Sequence, residues 1–120
     1  MPPIPDNLPL KPTKVDPEKI TRYLLSDTHS GGRTKAAFFK RKGFKEEKWQ
    51  ELSDALIAHA LQSRISKSKQ SDYGTKYIVD GWLQCPDGSR SMIRAIWFED
   101  LGSQTIRFVT AYPLKKARLP

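Results

Sequence analysis

The sequence predicts an α+β domain, with two to three N-terminal helices packed on a three- to four-stranded antiparallel β-meander. Apolar residues recur at helical spacing up to about residue 63 and alternate with polar residues after about residue 75. Only short turn segments separate the alternating stretches, which is typical of strands that pair in sequence order. Helices that precede a meander usually cover one face of it. Residues 15–113 are predicted to form this single domain.

Three helices are expected in the first half of the chain. Asp16 and Pro17 are favourable N-cap and first-turn residues for the first helix. The second helix is predicted at about 33–42, where Gly43 ends it. The third is predicted at about 45–63, because apolar residues follow one helical stripe there.

Three strands are expected in the second half, at about 75–85, 90–98 and 104–112. The polar stretch 65–74 is predicted to be a loop, and Pro86-Asp87-Gly88-Ser89 a turn. The predicted helix-covered face carries Val79, Leu83, Ile93, Ala95, Trp97, Ile106 and Phe108. The opposite face carries Asp80, Trp82, Met92, Arg94, Ile96, Arg107 and Val109, a mixture of charged and apolar residues typical of a groove.

The charge of the chain favours a polyanionic partner. It has 21 Lys and Arg against 13 Asp and Glu, a net charge of +8. Seven basic residues and two acidic ones lie between Arg33 and Lys48, whereas residues 77–112 carry three basic and four acidic ones. The positive surface is therefore expected along the second helix. The predicted nucleic-acid contacts are Arg33, Lys40, Arg41, Lys42, Lys45 and Lys76.

The two ends differ in composition from the domain. Residues 1–14 are predicted to be an extended proline-rich arm, and residues 114–120 a basic tail. The single Cys85 excludes an internal disulfide and fits a reducing compartment. We find neither a signal-peptide pattern nor an apolar run of membrane-spanning length, so we expect a cytoplasmic protein without membrane contact.

Short motifs in a fixed order resemble those of a family of uncharacterised small bacterial domains. The first is His29 with Gly32, Lys35-Ala36 and Phe39, and the second is Tyr73-Gly74 with Tyr77-Ile78-Val79 and Gly81. An Arg94–Trp97 strand and Thr110-Ala111-Tyr112-Pro113 complete the pattern, in which Ile78 replaces the family's Val. Members of this family occur as C-terminal modules of polymorphic toxins and beside antitoxin-like genes. The order of helices and strands is similar to that of barnase, EndoU, colicin and RelE-like ribonucleases.

The resemblance implies a toxin-type, metal-independent ribonuclease that needs no cofactor. Such an enzyme requires a base for the 2′-hydroxyl, an acid for the leaving 5′-oxygen and cations for the phosphate. His29 suits either proton transfer, and Lys35 and Arg94 suit the phosphate. Thr110 and Tyr112 could orient the phosphate or donate a proton. His29, Lys35 and Arg94 are expected to converge in one cleft.

Each assignment has a purely structural alternative. Arg94 can pair with Asp80 across two strands, Tyr112 can be a residue at the edge of the core, and His59 can be a surface or packing residue. Two other functions also fit the charge. One is a non-catalytic module that binds RNA or DNA, and the other is an interaction domain for an acidic antitoxin or immunity protein.

Overall fold

The computed structural model describes residues 13–21, 25, 33–103 and 105–114. Strand β1 (Thr13–Lys14) and helix α1 (Pro17–Lys19) come first, followed by α2 (Arg33–Arg41) and α3 (Trp49–Gln62). The remaining elements are β2 (Arg64–Ser71), β3 (Gly74–Gln84), β4 (Arg90–Asp100) and β5 (Ile106–Pro113).

One five-stranded sheet contains all the strands, in the order β1-β5-β4-β3-β2. Strands β2 to β5 form an antiparallel meander, and the two-residue β1 adds to β5 in parallel. Helices precede the meander in the chain. The predicted α+β class is therefore confirmed.

Local signals at the helix ends act as the sequence predicts. The Asp16 carboxylate accepts a hydrogen bond of 3.0 Å from the Glu18 backbone N–H, which caps α1. Gly43 follows α2 with a positive φ of 106°. The next residue, Phe44, donates its N–H back to the Phe39 carbonyl at 3.1 Å. A short 3₁₀ turn at Glu46–Lys48 then leads into α3.

The predicted loop at 65–74 is wrong, because most of it is strand β2. Its residues are mainly Lys, Ser and Gln, which have weak intrinsic strand preference. The strand forms by pairing with β3, and Ile65 is the residue that packs against the core. A charged strand at a sheet edge also discourages pairing with other chains.

The helices and one face of the sheet enclose a single core. All seven residues predicted for the helix-covered face are buried. Phe39 of α2 and Leu52, Leu56 and Ala60 of α3 pack against them. Trp97 and Phe108 meet edge to face at 5.4 Å between ring centroids.

Gly81 lets the end of α3 lie unusually close to the sheet. It pairs with the buried Ile93, so any side chain at this position would point into the core. A Cβ here would clash with the Ser63 hydroxyl and lie 2.6 Å from the Ser63 Cβ. The close approach of helix and sheet therefore requires glycine.

We predict that Gly81→Ala lowers the free energy of unfolding by about 1–3 kcal/mol, as overpacking commonly does. Adding Ser63→Gly removes both clashing atoms, so the double variant should regain part of that loss. Urea unfolding of the two single variants and the double variant measures this coupling. Strictly additive losses would show that the contact does not limit the packing.

Candidate nucleic-acid interface

The described helices leave the other face of the sheet uncovered, and we call it the open face. Its side chains follow from the strand registers, because residues directly opposite each other point to the same side. One row joins Arg64, Asp80, Arg94 and Tyr112 across four strands. The other members include Lys67, Lys69, Lys76, Ile78, Trp82, Gln84, Arg90, Met92, Ile96, Phe98, Asp100, Arg107 and Thr110.

Two irregularities in register bring basic and hydroxyl groups to this face. On β2, Ser66 is an extra residue, so Ile65 faces the core while Lys67 and Lys69 face outward. On β5, Val109 is the extra residue, so Thr110 rather than Val109 lies opposite Ile96. Thr110 and Tyr112 therefore join the open face. Val109 itself has no partner across the strands, so the register assigns it to neither face.

Positive charge dominates the open face. Among the side chains that the structure describes, its seven basic ones are Arg64, Lys67, Lys69, Lys76, Arg90, Arg94 and Arg107, against the acidic Asp80 and Asp100. Asp80 pairs with Arg94 and Asp100 with Arg107, each at 2.8 Å. Within the described part of the chain, Arg64, Lys67, Lys69, Lys76 and Arg90 form no ion pair. The prediction that the positive surface lies along the second helix is therefore incomplete, because β2 adds a second basic region.

Arg94 is held in place by its neighbours. Its Nε and Nη2 donate to the two Asp80 carboxylate oxygens at 2.8 and 2.9 Å. These hydrogen bonds with Asp80, with a smaller contribution from Tyr112, raise the pKa of Arg94. A guanidinium has five N–H donors, so donors remain for an anion above the sheet. The ion pair of Arg94 with Asp80 therefore links β4 to β3 and also fixes the orientation of the guanidinium.

Aromatic rings lie among the basic groups. Trp82 is 51 % exposed, and the Arg90 guanidinium lies 5.0 Å from its ring centroid. Phe98 has Arg107 over its ring at 5.2 Å. Interleaved cationic and aromatic side chains are typical of surfaces that bind single-stranded nucleic acid.

A groove of about 340 Å³ opens beside Trp82. Gln62 and Ser63 form the side nearest α3, and Gln84 and Arg90 lie on the strands. The groove continues to Asp80 and so adjoins the Arg94 site.

The predicted catalytic residues do not all meet. His29 lies outside the described residues. Arg94, Thr110 and Tyr112 lie together on the open face, as opposite or diagonal neighbours of β4 and β5. Lys35 belongs to α2, which packs through Ala36 and Phe39 into the core on the other side of the sheet. The expected convergence of Lys35 with Arg94 is therefore wrong, because the sheet separates them.

The predicted nucleic-acid contacts are divided in the same way. Lys76 lies on the open face. Lys40, Arg41 and Lys42 lie at the end of α2 or just after it, with the Lys42 ammonium 5.8 Å from the Phe38 ring centroid. Lys45 is exposed after α2, and the Arg33 side chain lies outside the described part of the structure. Sequence reasoning missed Arg64, Lys67 and Lys69. The Lys residues at alternate positions in the predicted loop could have indicated a basic face of a strand.

Comparison with known proteins identifies the family. Residues 7–115 match the domain of unknown function DUF6883. This chain belongs to the DUF6883 family. No curated protein matches the DUF6883 chain.

The fold of this DUF6883 domain also occurs in a solved structure. That structure is described as "Contact-dependent growth inhibition toxin - immunity protein complex from Klebsiella pneumoniae 342". One chain of it is similar with a TM-score of 0.67 and 20 % sequence identity, over 85 % of this chain and 93 % of that chain. At this identity the likeness establishes a shared fold.

The described residues of this DUF6883 domain contain neither a cluster of metal ligands nor a membrane-spanning helix. No three His, Cys, Asp or Glu side chains come close enough to hold a metal ion in that part of the chain. Among the same residues, no helix is long and apolar enough to cross a membrane.

His59, one of the two histidines, is a packing residue behind the open face. It is 1 % exposed, and its Nε2 lies 2.9 Å from the Ile93 carbonyl oxygen and 3.2 Å from that of Gly81. Because carbonyls only accept, Nε2 carries the proton. Nδ1 is buried without a hydrogen-bond partner among the described residues. Burial lowers the pKa of His59, although both carbonyls and Asp80 act in the opposite direction.

This lowered pKa predicts that stability decreases in mild acid. The unfolded chain binds a proton at His59 more readily than the folded one, so stability is complete above the ordinary pKa of 6.5 and falls below it. Unfolding free energies of the wild type and His59→Gln, measured by urea titration from pH 8 to pH 5, test this. The wild type should lose more stability than the variant over this range. Parallel curves would contradict the assignment.

Proposed function

We propose that this DUF6883 domain is a toxin-type, metal-independent ribonuclease that binds RNA on its open face. The observation that carries the proposal is the composition of that face. Among the described residues, its two carboxylates are already paired, five of its seven cations form no ion pair, and aromatic rings lie among them. Paired carboxylates repel a polyanion less than bare ones, and the remaining cations supply phosphate contacts.

Binding would begin with the basic side chains of β2 and β3. Arg64, Lys67 and Lys69 are exposed along one edge of the sheet, and Lys76 lies directly opposite Lys69. Each cation that neutralises a phosphate releases condensed counterions, so affinity depends steeply on salt. These residues therefore hold the RNA backbone without selecting its sequence.

Cleavage would take place at the cluster formed by Arg94, Thr110 and Tyr112 on β4 and β5. The RNA 2′-oxygen loses its proton to a base and attacks the adjacent phosphorus. The bond to the 5′-oxygen breaks, this oxygen takes up a proton, and a 2′,3′-cyclic phosphate and a 5′-hydroxyl remain. The remaining donors of Arg94 suit the charge that develops on the phosphate. Tyr112 and Thr110 offer hydroxyl groups beside it, and His29 remains the proposed imidazole for proton transfer.

Fold and charge together support the proposed toxin role. The similar chain belongs to a complex of a toxin with its immunity protein. The net charge of +8 suits a protein that binds RNA and is neutralised by an acidic partner. We therefore propose an acidic immunity or antitoxin protein as the partner of this chain.

Charge reversal can show which basic region binds RNA. The open-face variant combines Arg64→Glu, Lys67→Glu and Lys69→Glu. The matched control combines Arg41→Glu, Lys45→Glu and Lys48→Glu, three exposed residues on the helical side with the same total change. Filter binding of single-stranded RNA over a salt series should show a loss of at least about tenfold for the open-face variant. The plot of log association constant against log salt concentration has a negative slope. Its magnitude should decrease by about 2, because three phosphate contacts are lost.

The control variant should bind RNA nearly as well as the wild type. Equal losses in both variants would indicate diffuse attraction to the whole surface. A loss confined to the control would move the binding site to α2.

Tyr112→Phe tests the cleavage step separately from binding. Removing one hydroxyl should lower the rate of RNA cleavage in EDTA by about 10²-fold or more, as loss of a proton-transfer group commonly does. RNA affinity should stay within about twofold, because every cation remains. Fragments of total RNA resolved on a denaturing gel report the rate. Full cleavage by the variant would remove Tyr112 from the mechanism, and binding without cleavage by the wild type would favour the non-catalytic module.

A further inference from the structure

The groove beside Trp82 has a different chemistry from the rest of the open face. We propose that it binds one unpaired nucleobase and so makes single-stranded RNA the substrate class of this domain. This inference rests on the proposed RNA binding by the open face. The groove would select single-stranded over duplex RNA, which the phosphate contacts cannot do because both forms carry phosphates.

The groove exists because β2 is shorter than β3. The first residue of β2, Arg64, pairs with Asp80, so in the described sheet Gly81–Gln84 have no strand beside them on that side. The end of α3, at Gln62 and Ser63, forms the far wall instead. The resulting space of about 340 Å³ falls in the range of small-molecule sites.

Trp82 provides the surface for stacking. It retains 51 % exposure even though the Arg90 guanidinium lies over its ring at 5.0 Å. Cross-strand pairing with Met92 holds the backbone of this residue in the sheet. A base can stack on the exposed ring surface while Arg90 stays close enough to contact its phosphate.

The polar groups of the groove fit the edge of a base. Gln62 and Gln84 are exposed, and each side-chain amide offers both donors and an acceptor. Asp80 also lines the groove, but Arg94 already binds both of its carboxylate oxygens. A planar group with hydrogen-bond donors and acceptors along its edge therefore fits the groove.

Only an unpaired base can meet these conditions. In an RNA duplex both faces of each base are covered by its neighbours, and the base edges are used in pairing. A base must leave the helix before it can lie on Trp82. The groove therefore discriminates against duplex RNA, whereas the cations of β2 bind either form.

Fluorescence-anisotropy titration with a labelled RNA of about ten nucleotides tests the inference, since such lengths span typical single-strand sites. The same strand annealed to its complement serves as the duplex probe. Trp82→Ala should weaken single-strand binding by about tenfold and leave duplex binding unchanged. Trp82→Phe should retain most of the affinity. Tyr73→Ala is the matched control, because Tyr73 is 80 % exposed and lies in the β2–β3 turn outside the groove.

Oligonucleotides with a single abasic site provide a second measurement that does not depend on the stability of the variant. One abasic position should weaken wild-type binding and have no further effect in Trp82→Ala. If the wild type binds single strands and duplexes equally, and Trp82→Ala behaves like Tyr73→Ala, the groove inference is overturned while RNA binding stands. If the wild type binds neither probe, the proposed function itself fails.

Discussion

The close contact of α3 with the β3–β4 pair determines which face of the sheet is covered. His59 donates to backbone carbonyls of two neighbouring strands, and Gly81 leaves room for Ser63 at the same point. A hydrogen bond from a buried side chain to main-chain groups is expensive to lose, because both partners would remain without water. The contact therefore fixes the end of α3 over the middle of the sheet. The following strand, β2, begins two residues after α3 and is placed by it.

The open face combines a fixed cation with a set of unpaired ones. Both carboxylate oxygens of Asp80 accept hydrogen bonds from Arg94, so the negative charge at the centre of the face is paired with one guanidinium. The cations of β2 are exposed on long side chains and can follow a flexible backbone. This division suits a surface that attracts a polyanion broadly and acts on it at one position. The same charges make the face complementary to an acidic protein.

Much of the fold could be predicted from the sequence, and the candidate site only in part. Helix ends at Asp16 and Gly43 and the alternation through 90–98 are local signals, and the structure follows them. Arg94 was identified through the Arg94–Trp97 motif of the family resemblance, because a guanidinium suits phosphate contacts. Lys67 and Lys69 were missed as site residues, because a polar edge strand has no apolar period to reveal it. Lys35 was expected beside Arg94, but the sequence contains no information about which face of the sheet α2 covers.

By itself, the sequence determined that helices precede an antiparallel meander, which sheet positions are buried, and that the chain carries a large positive charge. These depend on the identity of each residue and its near neighbours. Only the tertiary structure decided that Lys67, Lys69, Thr110 and Tyr112 share one face with Arg94. Their directions depend on the extra residues Ser66 and Val109. An extra residue in a strand is defined by the pairing with the neighbouring strand, and one such residue reverses the direction of every side chain beyond it.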